Sequence, residues 1–260
     1  MKKVVIITGA SSGIGLATAE LLVSKGYVVY GVARGKYENE KFKCYECDVN
    51  NSLRMEEIFE EIYKKEGQID AVINNAGFGI AGAMEYASFE KIESIFNTNL
   101  VAAVKISSIA IKYLKETKGR ILNTSSVAGI LPIPFQTCYS STKAGLLNYS
   151  MALDGEVRRF GMRVTAILPG DVKTGFTAAR VVEGSDEGYN GRVTKSIKRM
   201  EKDEQGGEGP ETIARAMYKM LKRKNPPLKY VVGWEYKFFV FLSRILPERM
   251  VMAILRKMYA

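Results

Sequence analysis

Val4-Val-Ile-Ile-Thr8-Gly9-Ala10-Ser11-Ser12-Gly13-Ile14-Gly15-Leu16 is the stretch that decides the fold. Val4 to Ile7 form the short unbroken apolar run of a strand covered on both faces. The small residues from Thr8 to Gly15 end that run, and Leu16 to Lys25 read as a helix. Strand, glycine turn and helix in that order open a doubly wound parallel α/β sheet. The turn also suits a phosphate, because small residues let backbone N–H groups approach an anion at the positive end of a helix. Gly9, Ser11, Ser12, Gly13, Ile14 and Gly15 are therefore candidate cofactor contacts.

The alternation continues outward from this unit. Strands are expected at Tyr27 to Ala33, Phe42 to Glu46, Ile69 to Asn74, Arg120 to Leu122, Arg163 to Leu168 and Tyr230 to Gly233, about seven with the first. Between them, Ser52 to Lys65 reads as an amphipathic helix with Leu53, Ile58 and Ile62 on one face. Ser88 opens a long helix through Ile92, Ile95, Phe96, Leu100, Val104 and Ile111 to Thr117, and further helices run from Tyr139 to Phe160 and from Pro210 to about Lys224. At 260 residues the chain has room for a full core in a single α/β domain spanning 1–260, with helices on both faces of the sheet.

Composition narrows the class. An apolar share of 47% with 10% aromatics is ordinary for a globular protein. The net charge of +10 is scattered through helices rather than gathered into a stripe, which argues against a nucleic-acid partner. With no histidine in the chain, a zinc site at Cys44 and Cys47 is not expected; residues three apart on a strand also point to opposite faces. The run Val4 to Ile7 is too short for a signal peptide, and three cysteines fit a reducing cytoplasm.

The chemistry is expected where Arg120-Ile-Leu-Asn-Thr-Ser-Ser126 runs out into a loop broken by Gly129, Pro132 and Pro134. Tyr139 and Lys143 then stand one turn apart on a helix face, so a fixed ammonium could favour the tyrosine anion and bring it towards working pH. The spacing alone is common: Tyr37/Lys41 and Tyr218/Lys222 share it among fourteen tyrosines, and Ser24 precedes Tyr37 as Ser126 precedes Tyr139. Context separates them, since Ser24 lies inside a helical pattern and Ser126 lies where a buried strand ends, the place at which open α/β sheets bind ligands. At the end of the second strand, where a site for a free 2′-OH carries a carboxylate, this chain has Ala33 and Arg34. A 2′-phosphate would gain a planar cation there, which points to NADP over NAD, with Lys36 and Ser11 as helpers.

Ser126, Tyr139 and Lys143, with Asn99 upstream, resemble the catalytic tetrad of the short-chain dehydrogenase/reductases. The spacing Thr8-Gly9-x-x-x-Gly13-x-Gly15 is similar to the compact branch of that family, and Asn74-Asn75-Ala76-Gly77 resembles its Asn-Asn-Ala-Gly signature. The resemblance implies a Rossmann-type single domain that binds NADP(H) and transfers a hydride between nicotinamide and a carbonyl or hydroxyl carbon, with no metal. It implies Tyr139 as general acid/base, Ser126 as donor to the substrate oxygen, Lys143 on the nicotinamide ribose and Asn99 as holder of a water on the proton path. It places Asp48 and Val49 by the adenine, Asn75, Ala76 and Gly77 beside the adenosine half, and Pro169, Gly170, Val172 and Thr174 on the nicotinamide side. It also implies a homodimer or homotetramer built on the Ser88–Thr117 and Tyr139–Phe160 helices, and a substrate lid at 175–209, a segment rich in Gly and charge and read here as loop.

The motifs cover residues 4–174 well and 175–260 poorly, so the substrate is less legible. Phe78, Leu131, Phe135, Phe176 and a Met-rich tail point to an apolar ketone, aldehyde or secondary alcohol, in the general manner of hydroxysteroid- and retinol-dehydrogenase-like members. Residues 235–260 form a basic amphipathic extension, too short in either apolar run to cross a bilayer, that either covers the pocket or rests on a membrane surface. The competing functions are a catalytically silent NADP(H)-binding regulator and a membrane-surface reductase of a lipid carbonyl.

Overall fold

In a computed structural model, which describes residues 2–260, the chain alternates strand and helix almost throughout. In chain order the elements are β1 (Val4–Thr8), α1 (Gly13–Ser24), β2 (Val28–Ala33), β3 (Lys43–Glu46), α2 (Ser52–Glu66), β4 (Ala71–Asn74) and β5 (Ile80–Ala81). There follow α3 (Phe89–Phe96), a π-helical turn (Asn97–Val101), α4 (Ala102–Thr117), β6 (Arg120–Thr124), α5 (Thr137–Val157), β7 (Arg163–Leu168) and β8 (Val181–Val182). The chain ends in α6 (Arg192–Gln205), α7 (Pro210–Lys222), β9 (Lys229–Val231), α8 (Trp234–Ile245) and α9 (Glu248–Tyr259). Seven strands pair in parallel in the order β3-β2-β1-β4-β6-β7-β9. The order reverses between β1 and β4, so the loops after those strands diverge and leave a crevice at their carboxyl ends. This is the doubly wound, Rossmann-type single domain the sequence implies.

Alternation within the strands divides the core in two. Val4 and Ile6 of β1 pack with Met55, Ile58, Phe59 and Ile62 of α2 and with Ile106 and Ala110 of α4. Val5 and Ile7 face the other way, onto Ala19 and Leu22 of α1 and Ile213 and Met217 of α7. Cys44 and Cys47 fall on these opposite sides, as their spacing implies, and both are free thiols. A buried polar ladder crosses the first layer. Asn74 donates to Asn123 Oδ1 at 2.8 Å and to Ser107 Oγ at 3.0 Å, and Asn123 donates to Ser150 Oγ at 2.9 Å. It joins β4 and β6 to α4 and α5, so the helix that carries Tyr139 and Lys143 is keyed to the sheet by hydrogen bonds as well as by apolar packing.

Two expectations need correction, and the long helix opened by Ser88 is found with one added detail. Leu53 is 74% exposed rather than on the buried face of α2, because that face follows Met55, Ile58, Phe59 and Ile62. The run from Phe89 to Thr117 is one 29-residue helical rod, but it is interrupted by a π-turn at Asn97–Val101. Its buried side chains Ile106, Ala110 and Leu114 belong to the core, which accounts for its apolar composition. The segment 175–209 is not a bare loop: β8 pairs with β5, and α6 runs for 14 residues with Val193, Ile197 and Met200 turned inward. That i, i+4, i+7 spacing was present in the sequence, masked by the surrounding Lys, Arg and Glu.

The glycine turn leaves no room for side chains at Gly9 and Gly15. Gly9 adopts φ +67°, and a Cβ there would stand 2.9 Å from Ala76 Cα. A Cβ on Gly15 would stand 2.1 Å from Gly9 O and 2.7 Å from Asn75 Nδ2. Gly15→Ala should therefore cost about 2 kcal/mol or more of stability through forced backbone displacement, read as a lowered urea midpoint; an unchanged midpoint would show that the turn is not this close.

Candidate active site

The crevice is framed by two turns tied to each other. At the end of β1, Thr8 Oγ1 accepts from the backbone N–H groups of Asn75 and Ala76 at 3.0 and 3.1 Å. Asn75 Nδ2 donates back to Thr8 O at 3.3 Å. The glycine turn and the Asn-Asn-Ala-Gly turn are thereby held as one unit beneath the cleft. On the far wall, the loop after β7 brings Thr174 against Gly13, where an added Cβ would lie 3.4 Å from the threonine side chain.

A third wall comes from β6 and α5. In the hydroxyl run Thr124-Ser125-Ser126 the three hydroxyls have different partners, Thr124 Oγ1 donating to Asn75 Oδ1 at 3.4 Å. Ser125 is buried and donates to Lys143 O at 2.7 Å, fixing α5 against the end of β6. Ser126 lines the cleft, with its Oγ accepting from Ala128 N at 3.1 Å. Lys143 is 4% exposed, and its Nζ donates to Thr124 O at 2.8 Å and sits 5.6 Å from the Tyr139 ring centre. Phe176 packs against Tyr139, ring centres 5.7 Å apart.

Asn99 lies in the π-turn, which has widened the helix where the sequence placed a poor interior residue. Its amide is engaged within the chain: Nδ2 donates to Phe78 O at 2.9 Å, and Oδ1 accepts from Phe78 N at 3.0 Å. Asn99 and Lys143 converge on Gly77, where a Cβ would be 2.9 Å from Asn99 Oδ1 and 3.6 Å from Lys143 Nζ.

The electrostatics depart from expectation. Burial pushes the Tyr139 phenol up to about 12, with the neighbouring Ser126 hydroxyl pulling the other way. Burial pushes the Lys143 ammonium down to about 8. Lys143 therefore does not bring the phenol towards neutral pH in this structure, because loss of water is the largest cause acting on each group and opposes the charged form of both. Tyr139 is held as the neutral phenol and Lys143 as a strengthened acid.

One cleft of about 1160 Å³ collects most of the expected site. Gly9, Ser11, Ser12, Gly13, Ile14, Arg34, Val49, Asn75, Ala76, Gly77, Ser126, Tyr139, Lys143, Pro169, Gly170, Val172 and Thr174 all line it. Gly15, Asp48 and Asn99 do not: Gly15 packs behind the turn, Asp48 Oδ1 accepts from Asn50 N and Nδ2 at 2.9 Å, and Asn99 acts from beneath. Phe78, Leu131 and Phe176 line the cleft as expected, but Phe135 turns away and packs edge-on against Tyr189, ring centres 5.7 Å apart.

The other two tyrosine–lysine pairs of the same spacing stand outside the cleft lining; Tyr37 packs on Phe42, and Tyr218 on Tyr27. What the sequence reading missed lies in the C-terminal third. Tyr236, Phe238, Phe239 and Leu242 of α8 join the lining, and the Tyr236 hydroxyl donates to Asp171 Oδ2 at 2.6 Å. Arg180 is buried beside the site in an ion pair with Glu204 of α6. Only the apolar spacing on α6 and α8 could have announced these contacts.

A glycine turn at the switch point of a doubly wound sheet, faced across one cleft by a phenol, a hydroxyl and a buried ammonium, is the equipment of a dinucleotide-using oxidoreductase. Residues 3–183 match the family model described as short chain dehydrogenase, and the chain belongs to that family, whose members use a nicotinamide cofactor. It is 38% identical over 264 residues to the 3-ketodihydrosphingosine reductase of Bacteroides thetaiotaomicron, covering 99% of this chain and 98% of that protein. It is 28% identical over 270 residues to the NADPH-dependent 3-dehydrocapnine reductase of Ornithobacterium rhinotracheale, covering 97% and 95%. Among solved structures, a short-chain dehydrogenase from Streptomyces avermitilis superposes with a TM-score of 0.84 at 26% identity, covering 98% of this chain and 95% of that one.

Proposed function

We propose that this chain is an NADPH-dependent reductase of a ketone borne on a long apolar chain. The observation that carries the reading is the continuity of one cleft, from the glycine turn past Tyr139 to an apolar end lined by Leu131, Phe176, Phe238, Phe239, Leu242 and Leu246. Two relatives, named as reductases of 3-ketodihydrosphingosine and of 3-dehydrocapnine, match almost end to end, which favours a lipidic carbonyl over a small polar one.

The residues present fit a phosphorylated dinucleotide. Gly9 and Gly13 carry no side chain into the cleft, Arg34 is exposed at its rim and in no ion pair among the described residues, and Lys143 has donors left beyond its bond to Thr124 O. NADPH, when bound, supplies the hydride. Tyr139 gives its phenolic proton to the oxygen of the carbonyl as that oxygen becomes an alkoxide, and Ser126 donates a hydrogen bond to the same atom. A phenol raised to about 12 stands ready as the acid at working pH, which favours the reductive direction. Proton return is then downhill, because the ammonium lowered to about 8 is the stronger acid of the two and lies beside the ring.

Asn99 is a positioning residue. By clamping Phe78 it holds Gly77 against Lys143, and it completes the proton path with a water in the manner its family resemblance implies. Residues 175–209 serve as the lid, α6 closing on the cleft through Met200, Asp203 and Glu204. Half-buried Leu100 of the π-turn, Val104 of α4 and Ala144 of α5 support a two-fold subunit contact, and free thiols suit a reducing cytoplasm.

Three outcomes are expected. Tyr139→Phe lowers turnover by ~10²–10⁴ with NADPH affinity little changed, measured by NADPH oxidation and fluorescence titration; full turnover in the variant contradicts the assignment. Arg34→Asp moves the preference from NADPH towards NADH by roughly tenfold or more in kcat/KM, and equal use of both cofactors by the parent protein contradicts the role of Arg34. The reductive kcat/KM falls as pH rises through about 8, where Lys143 loses the proton it must return, and a profile flat to pH ~10 excludes Lys143 as that source.

A further inference from the structure

Residues 234–260 hold most of the large apolar side chains that the folded chain leaves in solvent. On α8, Trp234, Phe238, Phe241 and Ile245 are 76, 53, 56 and 62% exposed, and their spacing of four, three and four residues makes them one stripe. On α9, Met250, Ile254 and Met258 repeat the pattern at 49, 47 and 41%. A helix of a globular protein turns such a stripe inward, and both helices already do so with another set, since Val240 and Leu255 are buried. The outer stripes are surplus to the core.

Two further features say what covers them. Lys237, Arg244, Arg249, Arg256 and Lys257 flank the stripes, against Glu235 and Glu248 alone. Trp234, Phe238, Ile254 and Met258 are at once exposed and part of the cleft lining, so they are the lips of its mouth, and the apolar cleft opens through the patch.

We propose that α8 and α9 dock on the surface of an anionic phospholipid bilayer, with the mouth of the cleft facing the acyl region. Each helix has 12 residues, which is too short to cross a bilayer and suited to lying in its interface. A second copy of the chain fits the patch less well, because a two-fold contact would bring the same cations face to face and close the mouth. The docking stands on the exposed stripes and their charge; the use made of the mouth rests on the lipid-ketone reading above.

Co-sedimentation of the full chain with vesicles tests it. The protein should pellet with vesicles of phosphatidylcholine and phosphatidylglycerol in equal parts and about tenfold less with phosphatidylcholine alone. Phe241→Ser/Ile245→Ser, at positions outside the cleft lining, should weaken the partition about tenfold or more while leaving reduction of a short water-soluble ketone unchanged. Arg244→Glu/Arg249→Glu should abolish the preference for anionic vesicles. Wild-type protein that stays in the supernatant with anionic vesicles overturns the docking, and equal pelleting with both compositions overturns the part given to the cations. If neither protein pellets and the double serine variant turns a dimer into a monomer on size exclusion, the patch is a contact between copies and the proposal fails. Because pelleting needs no turnover, a wrong substrate class would change rates on long-chain ketones and leave these results in place.

Discussion

An ammonium taken out of water is the constraint on which the rest depends. Lys143 is buried with one bond to Thr124 O and no ion pair among the described residues, and its acidity rises as a result. Such a group lowers stability unless its surroundings are fixed in advance, and the chain fixes them from several sides. Ser125 bonds the backbone of Lys143, the Asn74–Asn123 ladder keys α5 to the sheet, and Asn99 holds the Gly77 turn against the ammonium. The same burial keeps Tyr139 protonated. In the proposed mechanism, this one desolvated pocket supplies both the proton donor and, beside it, the stronger acid that recharges it.

Each of these supports falls at the carboxyl ends of the parallel strands, where β1, β4, β6 and β7 all terminate. Thr8 and Asn74 close their strands, Thr124 closes β6, and Leu168 leads into the loop that carries Val172 and Thr174. The C-terminal third builds the opposite rim. Arg180 pairs with Glu204, Tyr236 bonds Asp171, and α8 and α9 extend the cleft with apolar side chains until it reaches solvent. The end at the glycine turn is accordingly polar and tightly tied, and the other end is apolar and open.

That division explains what could be read from the sequence. The strand, turn and helix of residues 4–25, the two later turns and the Tyr139–Lys143 pair rely on local features, namely glycine at close approaches and strands buried on both faces, and local features survive in one dimension. Asn99 was legible as an anomaly, an asparagine in a helix interior, and the π-turn is the physical counterpart of that anomaly. The sign of the Tyr139 shift was not legible, since it depends on how much water the fold removes. Nor was the inward face of α6, whose three apolar residues are diluted by charge, or the turning away of Phe135, which sits at φ +62°. In α2, Leu53 had the right chemistry at the wrong angle.

The central claim is that one cleft brings a reduced dinucleotide and a long-chain ketone together over Tyr139. The most direct measurement uses NADPH deuterated at C4 of the nicotinamide with a long-chain 3-oxo lipid, followed by mass spectrometry of the alcohol formed. The account predicts deuterium on the carbinol carbon, stoichiometric with NADPH consumed. Tight NADPH binding with no label in the product across long-chain ketones would contradict it.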